Sequence, residues 1–223
     1  MLVRNDKTIY VGNTEIKKVY SGTSIVYEKQ NHNYQEVNYI ESNNAEYIDT
    51  GVKANSNTKF EIDYEIVGKT QWASLFGVDE VNSTRRLFVG IIDNNNVQRG
   101  YIYAGTNVQS FAFSYGAIGV KTKATYDGNL LTLSNTNGTT TILCNSSAVP
   151  QTTITSYLFC KHRSSDGAAD KTKIKIYSAK IMDGNDVIRD YIPVLDANNI
   201  PCLYDKITNE FYYNAGSGAF TYG

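Results

Sequence analysis

The run KIKIYSAKIMDGNDVIRDYIPVLDANNIPCLYDKITNEFYY, residues 173–213, decides the fold class. Ile174, Ile176 and Ser178 alternate with Lys173, Lys175 and Tyr177, the two-residue period of a strand with two different faces. Asp183-Gly184-Asn185-Asp186 reads as a turn and Val187 to Tyr191 resumes the extended pattern, which predicts a hairpin. Asn198-Asn199 and Thr208-Asn209 punctuate two further short β runs. Ile174, Ile176, Ile188, Ile192, Val194 and Leu203 are expected to complete a sandwich. Asp190, Asp196 and Asp205 are assigned to turns and strand ends, not to a reaction centre.

Upstream of this run the same grammar holds. Phe60, Ile62, Tyr64 and Ile66 occupy one face of Lys59 to Val67, with Glu61, Asp63 and Glu65 on the other. Extended runs follow at residues 72–78, 86–92, 99–104, 108–113, 121–126, 130–134, 139–144 and 157–162. Tyr126-Asp127-Gly128-Asn129-Leu130 and Asn135-Thr136-Asn137-Gly138 are hairpin-turn signals. No segment sustains a helical period, and 18 tyrosines with only 3 prolines suit pleated, half-buried surfaces. The expected fold is all-β: a two-sheet antiparallel jelly-roll sandwich over residues 38–223, with a small N-terminal β-hairpin segment.

That segment, residues 1–30, contains an internal echo. Ile9-Tyr10-Val11-Gly12-Asn13-Thr14 returns ten residues later as Val19-Tyr20-Ser21-Gly22-Thr23-Ser24. About thirty residues cannot build a stable core alone. Tyr10, Ile16, Val19, Tyr20, Ile25 and Tyr27 therefore need another surface: the main domain, a sister chain or a larger particle. Residues 31–37 read as a linker.

Composition sets further bounds. With 21 Lys+Arg against 22 Asp+Glu the net charge is −1, so no global field draws the chain to nucleic acid or to anionic membranes. Cys144, Cys160 and Cys202 are widely spaced and lack CxxC spacing, so they read as free buried thiols. The first residues, Met1-Leu2-Val3-Arg4-Asn5-Asp6, form no apolar leader, and no run is long enough to insert in a membrane. The expectation is assembly in a cytoplasm without a signal peptide.

Several motifs, in order, resemble a known family. They are Tyr39-Ile40-Glu41-Ser42, Glu46-Tyr47-Ile48-Asp49-Thr50-Gly51 and Leu75-Phe76-Gly77, then Ile188 to Val194, Cys202 to Lys206 and Phe211 to Gly218. The chain resembles the laminin-G-like, concanavalin-A-like jelly-roll domains of bacteriophage structural proteins and of surface proteins of gut bacteria. The repeat in residues 1–30 is similar to short N-terminal segments of phage tail and virion-appendage proteins. The resemblance implies a virion-associated adhesion or structural module: a tail fibre, head fibre or capsid decoration. Residues 1–30 would attach it to other virion proteins, as a dimer or trimer, and the jelly roll would bind host-surface glycan. A bacterial surface adhesin is the neighbouring alternative.

An enzyme alternative rests on Glu61-Ile62-Asp63-Tyr64-Glu65, which resembles the E-x-D-x-E signature of family-16 glycoside hydrolases. Alternation puts the three carboxylates on one face, but Glu61 and Glu65 are separated by roughly 13 Å of extended backbone. A retaining mechanism needs carboxyl groups about 5–5.5 Å apart. Two histidines, with His32 in the linker and His162 beside Cys160, offer little for a nucleophilic triad, and no G-x-S-x-G elbow is present. Asp79-Glu80 and Asp93-Asn94-Asn95-Asn96 are oxygen-rich loops of the kind that hold Ca²⁺, although asparagine runs are commonly plain turns. The binding candidates are Trp72, Arg86, Asn95, Arg99, Tyr101 and Tyr103: an aromatic platform with convergent polar groups. In a sandwich, Trp72 and one tyrosine of each strand compete for core positions. Function is expected in residues 1–30 and in the loops around residues 70–104.

Overall fold

The computed structural model describes the backbone of residues 2–5, 8–11, 14–16, 18–28, 33–68, 72–94, 97–112, 118–144 and 149–223. It describes the side chains of residues 21–23, 33–68, 72–91, 100–110, 118–144 and 149–223. The chain divides into two units, Met1–Tyr34 and Gln35–Gly223.

In the first unit β1 (Leu2–Asn5), β2 (Thr8–Val11) and β3 (Thr14–Ile16) form an antiparallel sheet. A hairpin of β4 (Lys18–Ser21) and β5 (Ser24–Glu28) turns at Gly22, whose positive φ of 62° suits a residue without Cβ. Gly12-Asn13, the turn of the first repeat copy, lies outside the described residues, as do the side chains of Tyr10, Ile16, Val19, Tyr20, Ile25 and Tyr27.

The second unit begins with β6 (Gln35–Glu36), β7 (Ile40–Glu41), β8 (Ile48–Asp49), β9 (Thr58–Ile66), β10 (Trp72–Asp79) and β11 (Arg86–Asn94). It continues through β12 (Val97–Ala104), β13 (Asn107–Ala112), β14 (Thr122–Tyr126), β15 (Leu130–Asn135), β16 (Gly138–Leu143), β17 (Tyr157–Leu158), β18 (Lys161–Arg163) and β19 (Gly167–Ala169). It closes with β20 (Ile174–Asp183), β21 (Asp186–Leu195), β22 (Pro201–Asp205), β23 (Glu210–Tyr212) and β24 (Thr221–Tyr222). There is no helix among the described residues. The strands make an all-β, two-sheet antiparallel sandwich of the jelly-roll class. The first sheet runs β13-β12-β11-β10-β17-β8, with β18 and β19 added beside β10. The second runs β16-β15-β14-β9-β20-β21-β22-β23, with β6 on β21 and β7 between β20 and β24.

Alternation explains which face each strand buries. On β9, Thr58, Phe60, Ile62, Tyr64 and Ile66 are buried and the intervening residues half-exposed. Phe60 crosses to the other sheet and packs on Phe76, ring centroids 5.1 Å apart. Each such fully buried side chain contributes about 1.5–3 kcal/mol. The predicted hairpin forms between β20 and β21 around Gly184-Asn185, with positive φ at Gly184 alone, as a type II′ turn requires.

Two local readings are corrected. Ser178 does not continue the buried face of Ile174 and Ile176. The pairing of β20 with β9 shifts between Ile176 and Ser178, so Ala179 and Ile181 take over the core. A β-bulge inserts one residue and flips the face of everything beyond it. Residues 157–162 are likewise not one strand. β17 pairs antiparallel with β10, then the chain reverses and β18 pairs with β10 in parallel. The reversal passes through Phe159, a buried residue held at φ 71° and packed on Phe220 at 4.8 Å. Positive φ is rare for a bulky side chain, and tertiary burial holds it there.

Thr172, at the entry to β20, is fully buried with its Oγ1 unpartnered among the described residues, while its carbonyl accepts from Ser42 Oγ at 2.7 Å. A buried hydroxyl without a partner carries its full desolvation cost. Thr172→Val is expected to raise stability by about 1 kcal/mol in urea unfolding. A loss of stability would show that the hydroxyl has a partner after all.

Candidate binding cleft

Two glycines in the first sheet open its outer face. Gly77 on β10 has φ 143°, and a Cβ there would collide with Phe88 and the Leu87 carbonyl. Gly90 on β11 leaves space for the ring of Tyr101 against the Ala73 carbonyl. Phe88 and Tyr101 therefore lie flat on the sheet, both nearly fully buried. Tyr101 Oη lies 3.1 Å from Ser74 Oγ, donates to the Ala73 carbonyl at 3.2 Å and stands 3.5 Å from Asp170 Oδ2. Burial pushes its phenol far above the ordinary range, so it stays a protonated donor.

Two more open rings stand on these buried ones. Tyr103 stacks on Phe88 at 4.4 Å with 12° between the planes. Trp72 meets Tyr101 edge-on at 5.8 Å and is 44% exposed. Exposure of the chain's single tryptophan at that level is unusual for a residue that normally repays burial.

A charged wall faces the rings. The reversal at Phe159 delivers Lys161 and Arg163, on the same face of β18, alongside the end of β10. Lys161 Nζ sits 2.9 Å from Asp170 Oδ2, 3.4 Å from Asp79 Oδ2 and 4.1 Å from the centroid of Phe88. Arg163 reaches Asp166 at 3.2 Å, Asp170 at 3.4 Å and Asp79 at 3.8 Å. Arg86 donates through Nε and Nη2 to the Ser83 carbonyl at 3.0 and 2.7 Å and lies 3.9 Å from Asp79 Oδ1. Asp170 itself has φ 56°, and its carbonyl accepts from Ser74 N at 2.9 Å, which ties the wall to the floor. Trp72, Asp79, Arg86, Phe88, Tyr103, Lys161, Arg163 and Asp170 enclose an open cavity of about 420 Å³.

Of the residues singled out from sequence, Trp72, Arg86 and Tyr103 line this cleft and Tyr101 lies beneath it. The side chains of Asn95, Arg99 and Asp93 lie outside the described residues. Asp79 is ringed by Lys161, Arg163 and Arg86, so its charge is already met by protein cations. Glu80 accepts from Thr153 N and, at 3.0 Å, from Thr153 Oγ1. Among the described residues no three His, Cys, Asp or Glu side chains gather as a metal site. The carboxylates of β9 are each engaged separately. Glu61 pairs with Lys123 at 2.8 Å and Asp63 accepts from Ser178 at 3.1 Å. Glu65 accepts from Lys175 at 3.2 Å and Tyr177 at 2.8 Å. The bulge that turns both Tyr177 and Ser178 outward makes the last two pairings possible. His162 points its ring nitrogens at the Thr155 carbonyl and Tyr157 Oη, stacked on Tyr157 at 4.0 Å, while burial pushes the Cys160 thiol up.

Phe88, Lys161, Arg163, Asp170, Gly77 and Gly90 were not singled out as binding residues from sequence. One signal was available: Arg86-x-Phe88-x-Gly90 and Tyr101-x-Tyr103 put aromatic side chains and a gap on the same face of neighbouring strands.

No protein-family model matches the chain. No curated protein matches it either. Among solved structures the chain is similar to "Mouse laminin alpha1 chain, domains LG4-5", at TM-score 0.37 and 8% identity. The similarity covers 81% of this chain and 51% of that one, so this chain spans about half the length of that structure.

Proposed function

We propose that the Gln35–Gly223 unit is a carbohydrate-binding adhesion domain and that its ligand lies in the Trp72–Tyr103 cleft. The observation that carries this reading is the exposed indole of Trp72 beside a fixed array of carboxylates and cations in one open cavity. Aromatic faces take the C–H face of a sugar, and convergent charged groups take its hydroxyls. The reading is of binding without bond cleavage and without a metal ion. We further propose that the whole chain is a bacteriophage virion component, a fibre or decoration protein, which attaches through residues 1–30 as a homo-oligomer. That part rests on the resemblance of the motifs in residues 39–51, 75–77 and 188–218 and of the N-terminal repeat.

The full chain, applied to an array of bacterial surface glycans with and without EDTA, is expected to bind a restricted set in both conditions. Loss of binding in EDTA would overturn the metal-free reading; an array without signal would overturn the adhesion reading. Particles assembled with a chain lacking residues 1–30 are expected to lack this protein. Normal incorporation would sink the attachment role.

A further inference from the structure

We infer that the cleft selects uncharged sugars: a neutral pyranose stacks on Trp72 and donates its hydroxyls to Asp170 and Asp79. This inference rests on the adhesion reading and specifies its ligand.

The charge pairing around the cleft carries it. Three basic side chains, Arg86, Lys161 and Arg163, line the cleft with Asp79 and Asp170, and a third acid, the exposed Asp166 outside the lining, pairs with Arg163. Lys161 is held by two carboxylates and is 5% exposed, so its ammonium is turned inward. Each guanidinium nitrogen of Arg163 is near a carboxylate, and Arg86 spends two of its N–H groups on the Ser83 carbonyl. The Ser165 hydroxyl, with Arg163, holds the Asp166 carboxyl below its usual range, so this acid remains ionised and answers Arg163. An anionic sugar would have to displace an internal carboxylate from Lys161 or Arg163 and would leave that carboxylate without its partner. Separating Lys161 from Asp79 or Asp170, side chains only 6–12% exposed, is the costly case.

The carboxylates are different. Asp79 and Asp170 pair with Lys161 at 3.4 and 2.9 Å, and a carboxylate has about four acceptor positions. Lys161, Arg163 and the Tyr101 hydroxyl use some of those on Asp170, and the remaining lone pairs can accept hydroxyl protons. Hydroxyl-to-carboxylate bonds are charge-assisted and roughly twice as strong as neutral ones. Among the described lining residues the cleft therefore has strong acceptors to offer, and its lysine ammonium is engaged by two carboxylates. Asp170 is placed for this role by its positive φ and by the bond from Ser74 N, on the Trp72 side of the cavity.

The test uses the full chain and two soluble panels in titration calorimetry. One panel holds neutral oligosaccharides of glucose, galactose, mannose and N-acetylglucosamine; the other holds oligogalacturonate and a sulfated heparin hexasaccharide. Binding is expected in the neutral panel only, with Kd changing less than about 3-fold between about 0.05 and 0.5 M NaCl. Asp170→Asn, which keeps the side-chain shape and tolerates positive φ, is expected to weaken that binding about 10-fold. The salt series on the unaltered chain keeps the test decisive should the variant fail to fold. Binding confined to the acidic panel and abolished by Trp72→Ala would overturn this inference and leave the cleft assignment standing. Binding in neither panel, or binding untouched by Trp72→Ala, would overturn the cleft assignment and this inference with it.

Discussion

Gly77→Ala costs the sandwich at least about 3 kcal/mol, measured as a lower midpoint in urea at unchanged slope. Two independent penalties act together at this position. The backbone sits at φ 143°, where an L side chain is strained, and the new methyl group enters space already filled by Phe88 and the Leu87 carbonyl. Neither obstacle can give way cheaply. Phe88 is pinned between the Tyr103 ring and the Lys161 ammonium, and the carbonyl belongs to the β10–β11 ladder. Gly128→Ala separates the two penalties. Gly128 also has positive φ, at 99°, but a Cβ there meets nothing within 4 Å. It should cost only about 1 kcal/mol, the price of backbone strain alone. Equal losses in the two variants would mean that the aromatic floor is not packed against Gly77 as described.

Trp72→Ala should abolish most ligand binding, at least about 30-fold in Kd, while changing unfolding free energy by less than about 1 kcal/mol. The asymmetry follows from position. Trp72 begins β10, is 44% exposed and meets Tyr101 edge-on, outside the buried core. A stacked ligand, by contrast, would lose the broadest apolar surface in the cleft. Phe88→Ala provides the opposite control. Phe88 is almost fully buried, so its truncation should destabilise the fold by about 3–5 kcal/mol. If Trp72→Ala unfolds the chain as readily as Phe88→Ala, the indole is structural. If it leaves glycan affinity unchanged, the ligand lies elsewhere.

Much of the architecture was legible because a strand advertises both of its faces. Phe60, Ile62, Tyr64 and Ile66 alternate without interruption, and β9 buries those residues. The Gly184-Asn185 turn was readable from its residue types alone. Legibility failed where one residue departs from the local rule for a reason that lies far away in the chain. Tyr177 bulges out of register, and nothing in the surrounding alternation marks it. Phe159 takes a conformation its own side chain disfavours, because burial against Phe220 outweighs the strain. The cleft divides along the same line. Trp72, Arg86 and Tyr103 come from consecutive paired strands and could be grouped by pattern. Lys161, Arg163 and Asp170 arrive from the other side of β10 through the Phe159 reversal, a neighbourhood that only the folded chain creates.

The placement of β6 and β7 has a mechanical consequence. Both belong to the second sheet: β6 pairs with Val194 and Leu195 at the end of β21, and β7 lies between β20 and β24. Tension applied at Gln35 therefore enters the second sheet, whereas a load held in the cleft bears on β10, β11, β12 and β18 of the first. A pull between Gln35 and a ligand in the proposed cleft would cross the thickness of the sandwich. Part of it must pass through interlocked side chains such as Phe60 and Phe76, not along a single hydrogen-bonded ladder. Such a linkage resists by shearing a packed interior, and its rupture force should fall when that interior is thinned by Phe60→Ala even if the cleft is untouched.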